Sequence, residues 1–184
     1  DAAPLVVYYN TALVNLAQLT DPGDSPVNAQ TGWNMDQFEA AARQAVRPGV
    51  RGVYVAPAVD QIAPFIWSNG GELVDDQDAP TTLTLADDSS AEALERLLEI
   101  VRDPQLTFNP RQLERRSAVA RFRSGQLAMI LGYRGLTPSL RQQENLSFDV
   151  MPMPRMGSRA TAGTMTGLCL SKTSEHPKQT ADFL

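Results

Sequence analysis

Apolar positions along this chain alternate between the periods of strands and helices. Leu5-Val6-Val7-Tyr8-Tyr9 is an unbroken aliphatic and aromatic run that predicts a buried strand ending at Asn10. Residues 12–19 predict a short helix, and the Pro-, Gly- and Asp-rich stretch 20–32 a surface loop. Asn34-x-x-Gln37 has the form of a capping box. Met35, Phe38, Ala41, Ala42 and Ala45 then repeat at helical spacing until Pro48-Gly49. Gly52-Val53-Tyr54-Val55 predicts a strand stopped by Pro57, and residues 62–69 a helix ended by Gly70-Gly71. Residues 72–74 and 81–85 flank an acidic turn and predict a hairpin. Ser89-x-x-Glu92 predicts a capped helix with Leu94, Leu97, Leu98 and Val101 as its apolar stripe. A further helix is predicted over 110–123. Strands follow over 127–131, 146–151 and 167–170, and Ser174 is placed as the cap of a last helix with Pro177 in its first turn. This alternation predicts an α/β layered domain, with no internal repeat.

Composition narrows the chemistry. The 184 residues suffice for one good-sized core, or for a domain plus part of another. The chain opens close to a strand and stops inside a helical pattern, so a longer parent is expected. Net charge is −5, and no Lys/Arg cluster of the kind that tracks phosphates stands out, so nucleic acid is not an expected partner. No apolar run approaches the roughly 20 residues of a membrane span. With one His and one Cys, a zinc site of the usual kind is excluded, no metal or other cofactor is expected, and a Ser or Cys triad would need His176 as its base. Cys169, between Leu168 and Leu170, reads as a buried strand thiol. Asp75-Asp76-Gln77-Asp78 reads as a solvated turn; as a catalytic pair it would need two fixed carboxylates across a cleft.

Five blocks, in order, resemble the family 1 extracytoplasmic solute-binding proteins, the carbohydrate-binding group of ABC importers. They are Val7-Tyr8-Tyr9-Asn10; Trp33 with Phe38 (Thr31 and Trp33 split by Gly32); Phe65-Ile66-Trp67-Ser68-Asn69-Gly70-Gly71-Glu72-Leu73; Phe122-x-x-Gly125-x-x-Ala128-Met129 with Gly132; and the stretch from Gly167 through Pro177. The resemblance implies a type II periplasmic-binding-protein lobe, a mixed sheet flanked by helices. Residues 1–7 would form a hinge strand, 8–162 the second lobe, and 163–184 a crossing back toward a first lobe. It also implies a non-enzymatic, monomeric, extracytoplasmic binder, lipid-anchored in its parent, that takes a sugar between its lobes and delivers it to the permease subunits.

The ligand contacts implied are carried by loops at strand ends. Asp60 and Gln61 follow the strand at 52–55. Asp60 also suits a helix N-cap, a role that would leave Gln61 the freer group. The family often places a stacking Trp two residues after the glycine matched by Gly132. Here Tyr133 and Arg134 follow, Tyr133 to take over stacking and Arg134 to bind hydroxyls or an anionic group. Gly163 and Thr164 lie at the second crossing, where glycine serves either ligand approach or the hinge, and Asn69 flanks the Gly pair. Trp67 is read as core. Two rivals remain at this point: a carboxylate glycosidase using Asp60 with Asp75 or Asp76, and a sensor ectodomain of the same fold.

Overall fold

The computed structural model describes residues 2–20 and 25–183; of the loop expected at 20–32, residues 21–24 lie outside the described residues, as do Asp1 of the expected hinge and Leu184. The elements are β1 (Ala2–Pro4), β2 (Val6–Asn10), α1 (Met35–Gln44), β3 (Arg51–Tyr54), α2 (Val59–Ser68), α3 (Asp88–Val101), α4 (Pro110–Arg115), α5 (Ala118–Arg123), β4 (Leu127–Gly132), α6 (Thr137–Arg141), β5 (Phe148–Met151), β6 (Gly163–Met165) and α7 (Pro177–Phe183). Four strands form one mixed sheet in the order β3-β4-β2-β5; β1 and β6 form a separate two-stranded ribbon.

Each central strand is apolar on both faces because helices cover both. In β2, Val7 and Tyr9 join one core with Phe38 and Ala42 of α1, Phe65 of α2 and Ile100 of α3. Tyr8 points the other way, to Phe122 of α5, Leu140 of α6 and Phe108. β4 behaves alike: Met129 and Leu131 enter the first core, Ile130 the second. This two-sided burial explains why both strands read as continuous apolar runs.

Local chemistry sets the element ends. The Asn34/Gln37 capping box of α1 forms in both directions. At the end of α2, Gly70 N–H donates to Trp67 C=O and Gly71 N–H to Ile66 C=O, with Gly70 at φ +78°. That is a Schellman closure, which favours glycine at the left-handed position. A Cβ on Gly52 would lie 2.3 Å from the Ala42 carbonyl oxygen, so glycine is what lets β3 approach α1.

Several expected elements take another form. The helix at 12–19 is only a 3₁₀ turn over Leu16–Leu19, capped by Asn15. The hairpin is reduced to a single bridge, Val74↔Leu83. α3 starts after Asp87, with no side-chain cap from Ser89. The helix at 110–123 breaks in two where the Ser117 side chain caps α5. Residues 167–170 are exposed coil, and Cys169 is an exposed thiol, correcting the buried-strand reading. α7 begins at Pro177 itself, leaving Ser174 outside the helix. Trp67 is half-buried.

Candidate ligand-binding site

Strand directions bring the candidate loops to one edge of the sheet. β3 and β4 are parallel, while β2 runs antiparallel to both β4 and β5. The ends of β3, β4 and β5 and the start of β2 therefore share an edge, with Val6 paired to Gly132. In layered α/β proteins, ligands are taken at this edge because the loops there are free of sheet pairing.

The turn after β3 is fastened by Gln61, not by Asp60. Gln61 Oε1 accepts from Ala56 N–H at 2.8 Å, while Ala58 occupies the cap position of α2 without a side-chain cap bond. Roles are thus exchanged relative to the expectation. Gln61 closes the turn, and Asp60, in the first helical turn, is exposed to reach across to the next loop. There the Tyr133 hydroxyl donates to Asp60 Oδ2 at 2.8 Å. Burial, then the bond and the charge of Asp60, push the Tyr133 phenol up to about 12.

Tyr133 is rigidly placed. Its carbonyl accepts from the Tyr8 hydroxyl at 3.1 Å and from Leu136 N–H at 2.9 Å; Tyr8 also shares a hydrogen bond with the Thr137 hydroxyl at 2.8 Å. A Cβ on Gly132 would come within 3.0 Å of Leu136, so a small residue lets this turn fold back on the strand. Arg134 opens the following 3₁₀ turn on the surface. It lines an open groove with Thr137, Arg141 and Asp149 along the unpaired edge of β5; neither Asp60 nor Tyr133 lines that groove. Tyr8 and Thr137, the supports of Tyr133, were not among the residues singled out. Tyr8 read simply as core, and its hydroxyl function carries no sequence signal.

The two-stranded β1–β6 ribbon joins the same edge. Leu5 N–H donates to Ala162 C=O at 2.8 Å, and the Thr161 hydroxyl donates to Leu5 C=O at 2.7 Å, one residue before the Val6–Gly132 pair. Gly163 and Thr164 pair with Pro4 and Ala3 on the exposed ribbon. Asn69 is placed elsewhere. At the opposite end of α2, about 13 Å of helix from Asp60, its amide donates to Ser89 C=O and Glu92 Oε2 and ties α2 to α3. The structure thus gathers Asp60, Gln61 and Tyr133, with Arg134 in the neighbouring groove along β5 and Gly163 and Thr164 on the adjoining ribbon, and leaves Asn69 apart.

The acidic run is occupied with its own loop. Asp75 accepts from the Thr81 hydroxyl and from the N–H groups of Thr81, Thr82 and Asp76, which holds its carboxyl well below the usual range. Asp76 accepts from Asp78 and Ala79 N–H. Among the described residues no group of three or more His, Cys, Asp or Glu side chains could hold a metal ion, and no helix is long and apolar enough to cross a membrane.

A layered α/β unit with polar groups gathered at the loop-bearing edge of a mixed sheet is the arrangement expected of one lobe of a solute-binding fold. Comparison with known proteins agrees. The family model described as bacterial extracellular solute-binding protein matches residues 1–184, and the chain belongs to that family. It is a family of binding proteins, not of enzymes. No curated protein matches the sequence. Similar solved structures include an ABC substrate-binding protein from Listeria monocytogenes in complex with cycloalternan (TM-score 0.72, 21% identity, 99% of this chain and 45% of that one). The GacH receptor of Streptomyces glaucescens, solved with acarbose, gives TM-score 0.63 at 19% identity over 88% of this chain and 40% of that one. An extracellular solute-binding protein from Staphylococcus aureus in complex with maltose gives 0.64 at 14% identity, over 99% and 46%. The chain spans less than half the length of each of these proteins.

Proposed function

We propose that the chain is the second lobe of the sugar-binding component of an ABC importer, with residues 1–7 as hinge, 8–162 as lobe and 163–184 as the crossing to the other lobe. The edge carrying Asp60, Gln61, Tyr133 and Arg134 forms one wall of the cleft. The Asp60–Tyr133 hydrogen bond carries this reading, because it places an aromatic ring and a carboxylate together at the loop-bearing end of the sheet. A sugar ring offers a C–H face to an aromatic and pairs of hydroxyls to planar polar groups. Tyr133 supplies the first, Asp60 and, from the neighbouring groove, Arg134 the second, and the Gln61 staple holds the turn that carries Asp60. Gly163 and Thr164 act mainly in the crossing. The complexes with cycloalternan, acarbose and maltose among similar folds favour an oligosaccharide.

The apolar side chains of the crossing also favour a missing partner lobe. Met165 is 88% exposed and Leu168 72%, two large apolar side chains on one short stretch that a covering lobe would bury. The parent, a lipid-anchored monomer, delivers its ligand to the permease subunits. A glycosidase using Asp60 with Asp75 or Asp76 finds no support, since both acidic-loop carboxylates serve their own loop. Calorimetric titration of the full-length protein with a panel of neutral and charged oligosaccharides tests the proposal. Binding without turnover is expected. Absence of binding to every sugar, or hydrolysis abolished by Asp60→Asn, would refute it.

A further inference from the structure

Charge in this chain is segregated by position in the fold. The turn 47–51 before β3 and the stretch 102–126, from the end of α3 to the start of β4, carry eight arginines against only Asp103 and Glu114. These segments bear +6 on a chain of net −5, so everything else bears −11. Six of the eight lie within residues 102–123, which corrects the reading that no Lys/Arg cluster stands out, and Arg47 and Arg51 join them only in the fold, at the sheet edge opposite Gly132. Arg51 pairs with Leu127, and its N–H donates to Gln126 C=O at 2.9 Å. Arg116 donates to the Gln126 side chain at 3.0 Å, and Arg51 and Arg121 both lie over the Phe108 ring, at 5.5 and 4.0 Å.

Among the described residues no ion pair answers this charge; Glu144 shares a surface pocket with Arg116 and Arg123 without pairing with either. All five ion pairs among the described residues belong to Arg43 and Arg96, and none involves these eight arginines. Arg51 Nε and Arg123 Nε are buried and have no hydrogen-bond partner. Packing like charges together opposes folding unless something outside compensates. Every cation here is arginine, whose planar fork matches phosphate oxygens in pairs. Arg47, Arg102, Arg111, Arg115 and Arg116 are exposed and can reach such a surface.

We propose that this arginine end is a docking surface for the phosphate headgroups of an anionic membrane. An acidic molecule is repelled by such a membrane in every orientation except the one that presents this end. Docking would therefore keep the Asp60–Tyr133 edge, on the opposite side of the sheet, away from the membrane surface and free to take a ligand. The inference rests on the extracellular, membrane-delivering reading only for the surface it selects. Two outcomes separate them: sugar binding without vesicle binding removes this inference alone, and vesicle binding without sugar binding removes the proposed ligand alone.

The test is flotation of the full-length protein, produced without its lipid group so that no acyl chain contributes, with vesicles of phosphatidylglycerol and phosphatidylcholine, against pure phosphatidylcholine. Partition onto the anionic vesicles only is expected, with release at about 0.5 M salt, where screening shortens to a few ångströms. The Arg47→Glu/Arg111→Glu/Arg115→Glu variant should lose about tenfold or more in partition while keeping its sugar affinity and thermal midpoint. Arg111→Gln/Arg115→Gln, which adds no new charge, should move it in the same direction. Equal partition onto both vesicles, no partition at all, or undiminished partition of these variants would overturn the proposal.

Discussion

Asp60 and Tyr133 form a coupled pair whose properties can be read separately from ligand binding. The Tyr133 phenol is held up to about 12 by burial first and by Asp60 second. Asp60→Asn should therefore lower its midpoint part of the way toward the ordinary value near 10. Phenolate absorbance at high pH, taken as the difference from Tyr133→Phe, measures this. The sign for stability follows from the raised value: the contribution is whole below pH 10 and is lost as pH rises toward 12, where the unfolded chain has ionised and the folded one has not. At this scale the sequence was legible in residue type but not in role. Asp was assigned to the helix cap by its general preference, and Gln61 was read as the freer group. The structure exchanges them because the longer Gln side chain reaches back to Ala56 N–H. Asn69 beside its glycines read as a loop contact, but the Schellman closure turns its amide toward α3.

The helices and sheet strands that were legible are those in which local chemistry and burial agree. α1 has both a full capping box and an apolar stripe, so its range was predicted closely. Asn34→Ala should cost about 1 kcal/mol, measured as a shift in urea midpoint at unchanged slope. β2 and β4 announce themselves because two-sided burial demands continuous apolar runs. What failed were patterns with only one source of information. The hairpin at 72–85 has strand-like residues but no sheet beside it, and its backbone is organised by Asp75 side-chain bonds instead. The helix at 110–123 had helical composition throughout, and Ser117 was a cap hidden inside it. Gly52, read merely as part of a strand, marks the closest approach of β3 to α1. Gly52→Ala forces a Cβ against the Ala42 backbone and should destabilise by about 3 kcal/mol or more, with loss of soluble protein as the extreme outcome.

Across the whole molecule, the two edges of the sheet carry different surfaces, one gathering Asp60 and Tyr133 and the other the arginines. Family membership was legible because five ordered blocks mark the turns that build this lobe. The full basic end was not, because Arg47 and Arg51 join the arginines of 102–123 only after β3 and β4 pair. If the crossing packs on another lobe, Cys169 should react with a thiol reagent rapidly in the isolated 1–184 chain, where it is exposed, and much more slowly in the full-length protein. Equal rates would show that residues 163–170 remain uncovered. The central claim, that the edge joining the β3 and β4 turns is a sugar-binding wall, is tested most directly by a crystal structure of the full-length protein with its best-binding oligosaccharide. The account predicts a sugar ring within about 4 Å of the Tyr133 ring and a sugar hydroxyl hydrogen-bonded to Asp60. A sugar bound elsewhere, with the Asp60–Tyr133 edge facing solvent, would contradict it.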